Sequence, residues 1–109
     1  MELWSEIRTE QSTLDKAVTA LRTRGAKKAQ AEHDYRVALS KRLLDLRAEG
    51  YPASIIRDIA VGAEDIAKLR LERDIAASLY ESAQEAINVQ KLKIRILENQ
   101  LSREWVNVR

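Results

Sequence analysis

A single histidine, His33, sits between Glu32 and Asp34, and this triplet is the first place where the chain could hold a metal ion or move a proton. Successive residues of a helix point about 100° apart, so the three side chains cannot converge on one ion, and there is no second histidine to complete a ligand set. The spacing favours a solvated helix face. Glu81 and Glu85 do share a face, but the Glu-x-x-His partner that a di-metal carboxylate site needs is missing. Glycosidase-like use of paired carboxylates has no further support. Gly25, Gly50 and Gly62 are isolated, which leaves no glycine-rich phosphate loop, and no Gly-x-Ser-x-Gly elbow occurs. Thiol nucleophiles, disulfides and cysteine zinc sites are absent together, because the chain has no Cys. The expectation is a non-enzyme with no cofactor, no metal and no catalytic residues.

Binding chemistry is better supplied. The segment Arg22-Thr23-Arg24-Gly25-Ala26-Lys27-Lys28 is strongly basic, and Lys91, Lys93 and Arg95 form a second cluster. If the two segments lie side by side, seven cations make a belt that could track phosphates, with Glu85 and Glu98 offsetting it in part. Charged flanks of coiled coils look the same, and they are the commoner explanation. Trp4, Tyr35 and Tyr80 could stack on bases, but they fall on the apolar seam described below or at its end, where aromatic area serves packing.

These residues must be positioned by helices. One third of the 109 residues are charged and 45% are apolar, with one Pro and three Gly, a composition suited to long helices. Nineteen Lys and Arg against seventeen Asp and Glu leave a net charge of +2, so the whole-molecule field is weak. No apolar run is long enough for a spanning helix or a secretory signal, so no membrane contact is expected, and with no Cys an intracellular protein is the easier reading.

From Glu2 to Glu49 good helix formers predominate, which predicts one helix over 2–49, weakened at Gly25. Gly50-Tyr51-Pro52-Ala53-Ser54 is the strong break. Gly50 suits a left-handed C-terminal cap and Pro52 the first turn of a new helix. A short helix is predicted over 52–61, ended by Gly62. Glu64 and Asp65 then open a helix over 64–106, where their charge favours the dipole. Each long helix would measure about 65 to 70 Å at ~1.5 Å per residue.

Along the last helix Ile66, Tyr80, Ile87, Ile94, Leu101 and Val108 recur at multiples of seven, accompanied by Leu69, Ala76, Ala83 and Leu97 and interrupted by Arg73, Gln90 and Glu104. Such a repeat implies a left-handed coiled coil. The first helix answers with Trp4, Ile7, Leu14, Val18 and Leu21, then Tyr35, Leu39, Leu43 and Leu46, interrupted by Gly25, Lys28 and Glu32. The predicted fold is all-α: a single-domain antiparallel helical hairpin over 1–109, with a short helix in the turn. Folded there, it sets position i near 112 minus i, placing Leu46 opposite Ile66, Gly25 opposite Ile87 and Ile7 opposite Trp105, with Trp4 and Trp105 closing the open end.

A second apolar stripe on the last helix, Leu71, Ile75, Leu79, Ala86, Val89 and Ile96, needs another neighbour. It predicts an oligomer interface and a homodimer, as a four-helix bundle or higher assembly. The turn adds Tyr51, Ile55, Ile56 and Ile59, which cap the core or, if exposed, form a partner surface.

The stretch Leu46-Arg47-Ala48-Glu49-Gly50-Tyr51-Pro52-Ala53 through Gly62, then Arg73-Asp74-Ile75-Ala76-Ala77-Ser78-Leu79-Tyr80-Glu81 and on to Ser102-Arg103-Glu104-Trp105, resembles small helical proteins of about a hundred residues encoded in tailed bacteriophages and prophages. The likeness covers about residues 35 to 105. It implies a phage or prophage origin, and with it a place in the cytoplasm of the bacterial host, and carries over no site residue. The leading functional expectation is a self-associating helical protein that binds an unidentified phage or host protein. The alternative is a nucleic-acid-binding accessory factor using the basic belt.

Overall fold

The computed structural model describes the backbone of residues 2–108 and the side chains of residues 2–106. Val108, the last seam residue read from the sequence, has its side chain outside that range. Among the described residues every regular element is a helix, with no strand: α1 spans Glu2–Ala48, α2 Ala53–Gly62 and α3 Glu64–Val108.

The breaks fall where the sequence places them. Gly50 has φ of 92°, in the left-handed region. The Gly50 amide donates to the Arg47 carbonyl at 3.1 Å and the Tyr51 amide to the Leu46 carbonyl at 3.3 Å. These are the two bonds of a Schellman cap, which satisfy carbonyls that the end of α1 would otherwise leave without partners. Pro52 caps α2 from just outside, one position earlier than the first helical residue expected of it, and the Ile55 amide donates to its carbonyl. Ala63 is extended, and its carbonyl accepts from the Ala67 amide at 2.8 Å to start α3. Glu64 and Asp65 occupy the first turn of α3. Gly25 does not interrupt α1.

The chain divides into two compact units. The terminal unit consists of Met1–Thr23 and Tyr80–Arg109, and the central unit of Arg24–Leu79.

In the central unit the second part of α1 and the first part of α3 run antiparallel, with α2 packed against both. Arg42 Nη2 lies 2.6 Å from Asp65 Oδ2, Arg73 Nε lies 3.7 Å from Glu32 Oε2, and Arg24 Nη1 donates to the Leu79 carbonyl at 3.3 Å. Tyr35, Leu39 and Leu46 of α1, Ile56 and Ala60 of α2, and Ile66 of α3 form one buried cluster. Leu46 and Ile66 therefore share a core, as the fold-over rule expects. Arg24, by contrast, reaches Leu79, about two turns of α3 before Ile87, which the rule placed opposite the adjacent Gly25. The register is displaced because α1 outruns α3: Asp65, at the start of α3, sits beside Arg42, and Leu46 beyond it is covered with the help of α2.

Among its described residues the terminal unit has two helical segments only, from α1 and α3. Ile7, Ile87 and Ile94 are buried there, with Leu14, Val18, Leu21, Ala83 and Leu97 half-buried. Trp4 and Trp105 do not close it together: they are 52% and 63% exposed. Two helices offer a strip of contact and no further layer against which an indole could be buried. Ile7, expected opposite Trp105, is buried while the indole is not.

Candidate functional site

Along α3 the buried and half-buried positions are Ile66, Leu69, Arg73, Ala76, Ala77, Tyr80, Ala83, Ile87, Gln90, Ile94, Leu97 and Leu101. Apart from Ala77 these are the seam positions of the heptad repeat, and Arg73 and Gln90, which interrupt it in polarity, are half-buried along it. Both have cross-helix partners. In the central unit the Arg73 guanidinium lies 4.6 Å from the centre of the Tyr35 ring and pairs with Asp74 at 3.0 Å and Glu32 at 3.7 Å. Asp74 above all, with the charge of Glu32, pushes its pKa up against the opposite effect of partial desolvation. In the terminal unit the Gln90 amide donates to the Glu10 carbonyl at 3.0 Å and to its carboxylate at 2.5 Å, and Lys93 Nζ lies 3.1 Å from the same carboxylate. The Gln90 bond first and Lys93 second hold Glu10 below its ordinary value.

The second stripe of α3 is open. Leu71, Ile75 and Leu79 in the central unit, and Val89, Leu92 and Ile96 in the terminal unit, are between 46% and 59% exposed. Five of these are the residues assigned to an oligomer interface from sequence; Leu92 is a further member. Ile75 and Leu79 also line a shallow apolar groove with Ala76, flanked by Arg24, Lys27 and Glu72.

At the turn the four candidate residues separate. Tyr51, Ile55 and Ile59 are exposed, whereas Ile56 faces inward and belongs to the core cluster. The helical period explains this: Ile55 and Ile59 are four apart on the outer face of α2, and Ile56 and Ala60 are four apart on the inner one.

The basic residues are not equivalent. Arg22 and Lys27 of α1 are exposed, as are Lys91 and Arg95 of α3. Arg24 is half-buried and bonded to the Leu79 carbonyl, Lys93 is paired with Glu10, and Lys28 is half-buried with an interaction inside the chain. Three of the seven are thus already engaged.

His33 is exposed, with Nδ1 at 3.3 Å from Asp34 Oδ1. The Gln30 hydrogen bond first, and His33 after it, lower the Asp34 pKa. Among the described residues no group of three or more His, Asp or Glu side chains could hold a metal ion. Within the same residues no helix is long and apolar enough to cross a membrane.

One feature of the central unit has no counterpart in the sequence reading. A groove of about 660 Å³ is lined by Arg36, Arg57, Arg70 and Arg73 from three different helices, together with Glu32 and Asp58. The four arginines are scattered along the chain, so no local run of charge signals them. Only the packing of α2 against α1 and α3 brings them to one place. No known family, curated protein or solved structure matches this chain.

Proposed function

We propose that this chain is a non-enzymatic helical binding protein that works as a self-associated assembly, a homodimer built as a four-helix bundle or a higher oligomer. The observation that carries the reading is the open second stripe of α3. Six Leu, Ile and Val side chains about half exposed, outside the buried seam of α3, need a neighbour. Covering the rest of each gains about 1 kcal/mol, half of what full burial of such a side chain provides. In a symmetric dimer every such contact occurs twice. The exposed Tyr51, Ile55 and Ile59 at the turn are left for a different partner, and the likeness to small phage-encoded helical proteins directs the search toward phage and bacterial host proteins.

Sedimentation equilibrium at micromolar concentration tests the assembly. The wild-type chain should sediment as a dimer or larger, and Ile75→Glu with Ile96→Glu should yield a helical monomer. A wild-type monomer of full helicity would end the proposal. Affinity purification with and without nuclease then separates a protein partner from nucleic acid, which is the competing partner for the exposed Arg22, Lys27, Lys91 and Arg95.

A further inference from the structure

Arg36 and Arg73, Arg57, and Arg70 reach one groove of the central unit from α1 and α3, from α2, and from α3. Their partners are unequally shared. Glu32 accepts from Arg36 Nε at 2.6 Å and pairs with Arg73, which Asp74 also engages. The side chains of Arg57 and Arg70 have neither hydrogen bond nor ion pair among the described residues. Against Glu32 and Asp58 the four guanidiniums leave a formal excess of two positive charges among the lining residues, and Asp74 on Arg73 reduces it to one. Like charges gathered between packed helices repel one another, and uncharged or acidic residues would serve helix formation equally well. A bound anion relieves that repulsion.

We propose that this groove is a phosphate-recognition site, with Arg57 and Arg70 as direct ligands, Arg36 beside them and Arg73 as a fixed positive charge. A guanidinium presents its donors as a planar fork that matches phosphate oxygens in pairs. A phosphate monoester carries about −1.5 to −2 near neutral pH, which fully offsets the excess in the groove. The volume of about 660 Å³ lies inside the roughly 300–1,000 Å³ range of small-ligand sites. Stacking on Tyr35 and pairing with Glu32 and Asp74 hold Arg73 before any ligand arrives, so little side-chain freedom is lost on binding. Tyr35 and Leu39 turn into the core, leaving a polar lining that suits a phosphorylated compound better than an apolar peptide. The site goes beyond the proposed self-association and uses none of the residues of the open stripe.

Calorimetric titration of the full chain with pyrophosphate at low salt is the test. Saturable binding is expected, weakened at least about tenfold in Arg57→Gln/Arg70→Gln and less than about twofold in the equally charged control Arg22→Gln/Arg95→Gln. Circular dichroism should show unchanged helicity in both. If the double Gln variant loses helicity, Arg57→Lys/Arg70→Lys replaces it and should still weaken binding, because an ammonium lacks the fork. Competition distinguishes the two sources of phosphate: displacement by ATP assigns a free phosphate ester, and displacement by oligothymidylate but not ATP assigns a nucleic-acid backbone. Equal loss in the control, hexaglutamate binding as tightly as pyrophosphate, or no saturable binding at millimolar concentration would each overturn the site.

Discussion

The central and terminal units are built from the same two helices, yet only the central one has a clustered core. Six buried side chains from three helices meet there, and Ile66 and Ala60 are almost wholly removed from solvent. In the terminal unit Ile7, Ile87 and Ile94 are buried along a two-helix seam. The difference is α2. Ten residues with Ile56 and Ala60 on the inner face give the helix pair a third surface, turning a strip of contact into an enclosed volume. Polar contacts cross between the helices in both units, Arg42 to Asp65 and Arg73 to Glu32 in the central one and Gln90 and Lys93 to Glu10 in the terminal one.

The sharpest test of this contrast is truncation of matched isoleucines. Ile66→Ala removes a side chain only 1% exposed, from the centre of the cluster. It should cost about 2–5 kcal/mol, as large-to-small changes in enclosed cores do. Ile94→Ala, in the two-helix seam, should cost less, because neighbouring side chains and water can close over the gap. Denaturant unfolding of both variants measures the two costs. Hydrogen exchange should independently show slower exchange around Leu39, mid-helix in the same cluster, than around Ile94 in the wild type. Equal costs and equal protection would mean that α2 adds no special stability.

The second test acts on the join that allows α2 to dock. Gly50→Ala places a side chain at φ of 92°, with nothing within 4 Å of the new Cβ, so the cost is one of backbone conformation alone. About 1–2 kcal/mol is expected for an L-residue held in the left-handed region. The loss should appear as earlier melting of the central unit. A higher melting temperature would show that the left-handed cap is not formed in solution.

Much of this contrast was legible in the sequence, and the missing part has a physical cause. The seven-residue repeat of α3 identified its enclosed face correctly, including the positions held by Arg73 and Gln90. Reading these two as interruptions missed that Glu32, an interruption of the α1 seam, is the partner of Arg73. Polar residues at seam positions on both helices were the available signal, and matching them would have given the register. The exposed stripe through Leu71, Ile75, Leu79, Val89 and Ile96 was also readable, because amphipathic period is a local property. The inward turn of Ile56 and the arginine groove were not, since both depend on how α2 sits against its neighbours. Trp4 and Trp105 misled for a related reason: an apolar residue at the end of a seam is buried only if something lies beyond it.

The smallest expected effect is acid weakening of each unit through its own carboxylate. In the central unit Arg42, and to a lesser degree the backbone amides at the start of α3, hold Asp65 below its ordinary 3.8. In the terminal unit Gln90 and Lys93 hold Glu10 below its ordinary 4.5. A carboxyl whose pKa is lowered on folding adds stability that is present above its unfolded value and is lost as the pH falls through the folded one. The terminal unit should therefore begin to weaken at slightly higher pH than the central unit. Both carboxylates meet solvent, so each effect should stay within a shift of about 2 °C in melting temperature. Asp65→Asn should lower protection against hydrogen exchange in the central unit, and Glu10→Gln in the terminal unit, at about pH 7. In each case the difference from wild type should shrink as the pH falls through the folded titration of the wild-type carboxyl, which then becomes protonated itself. A variant that still differs fully from wild type in acid would show that its carboxylate acts through shape and hydrogen bonding, not through charge.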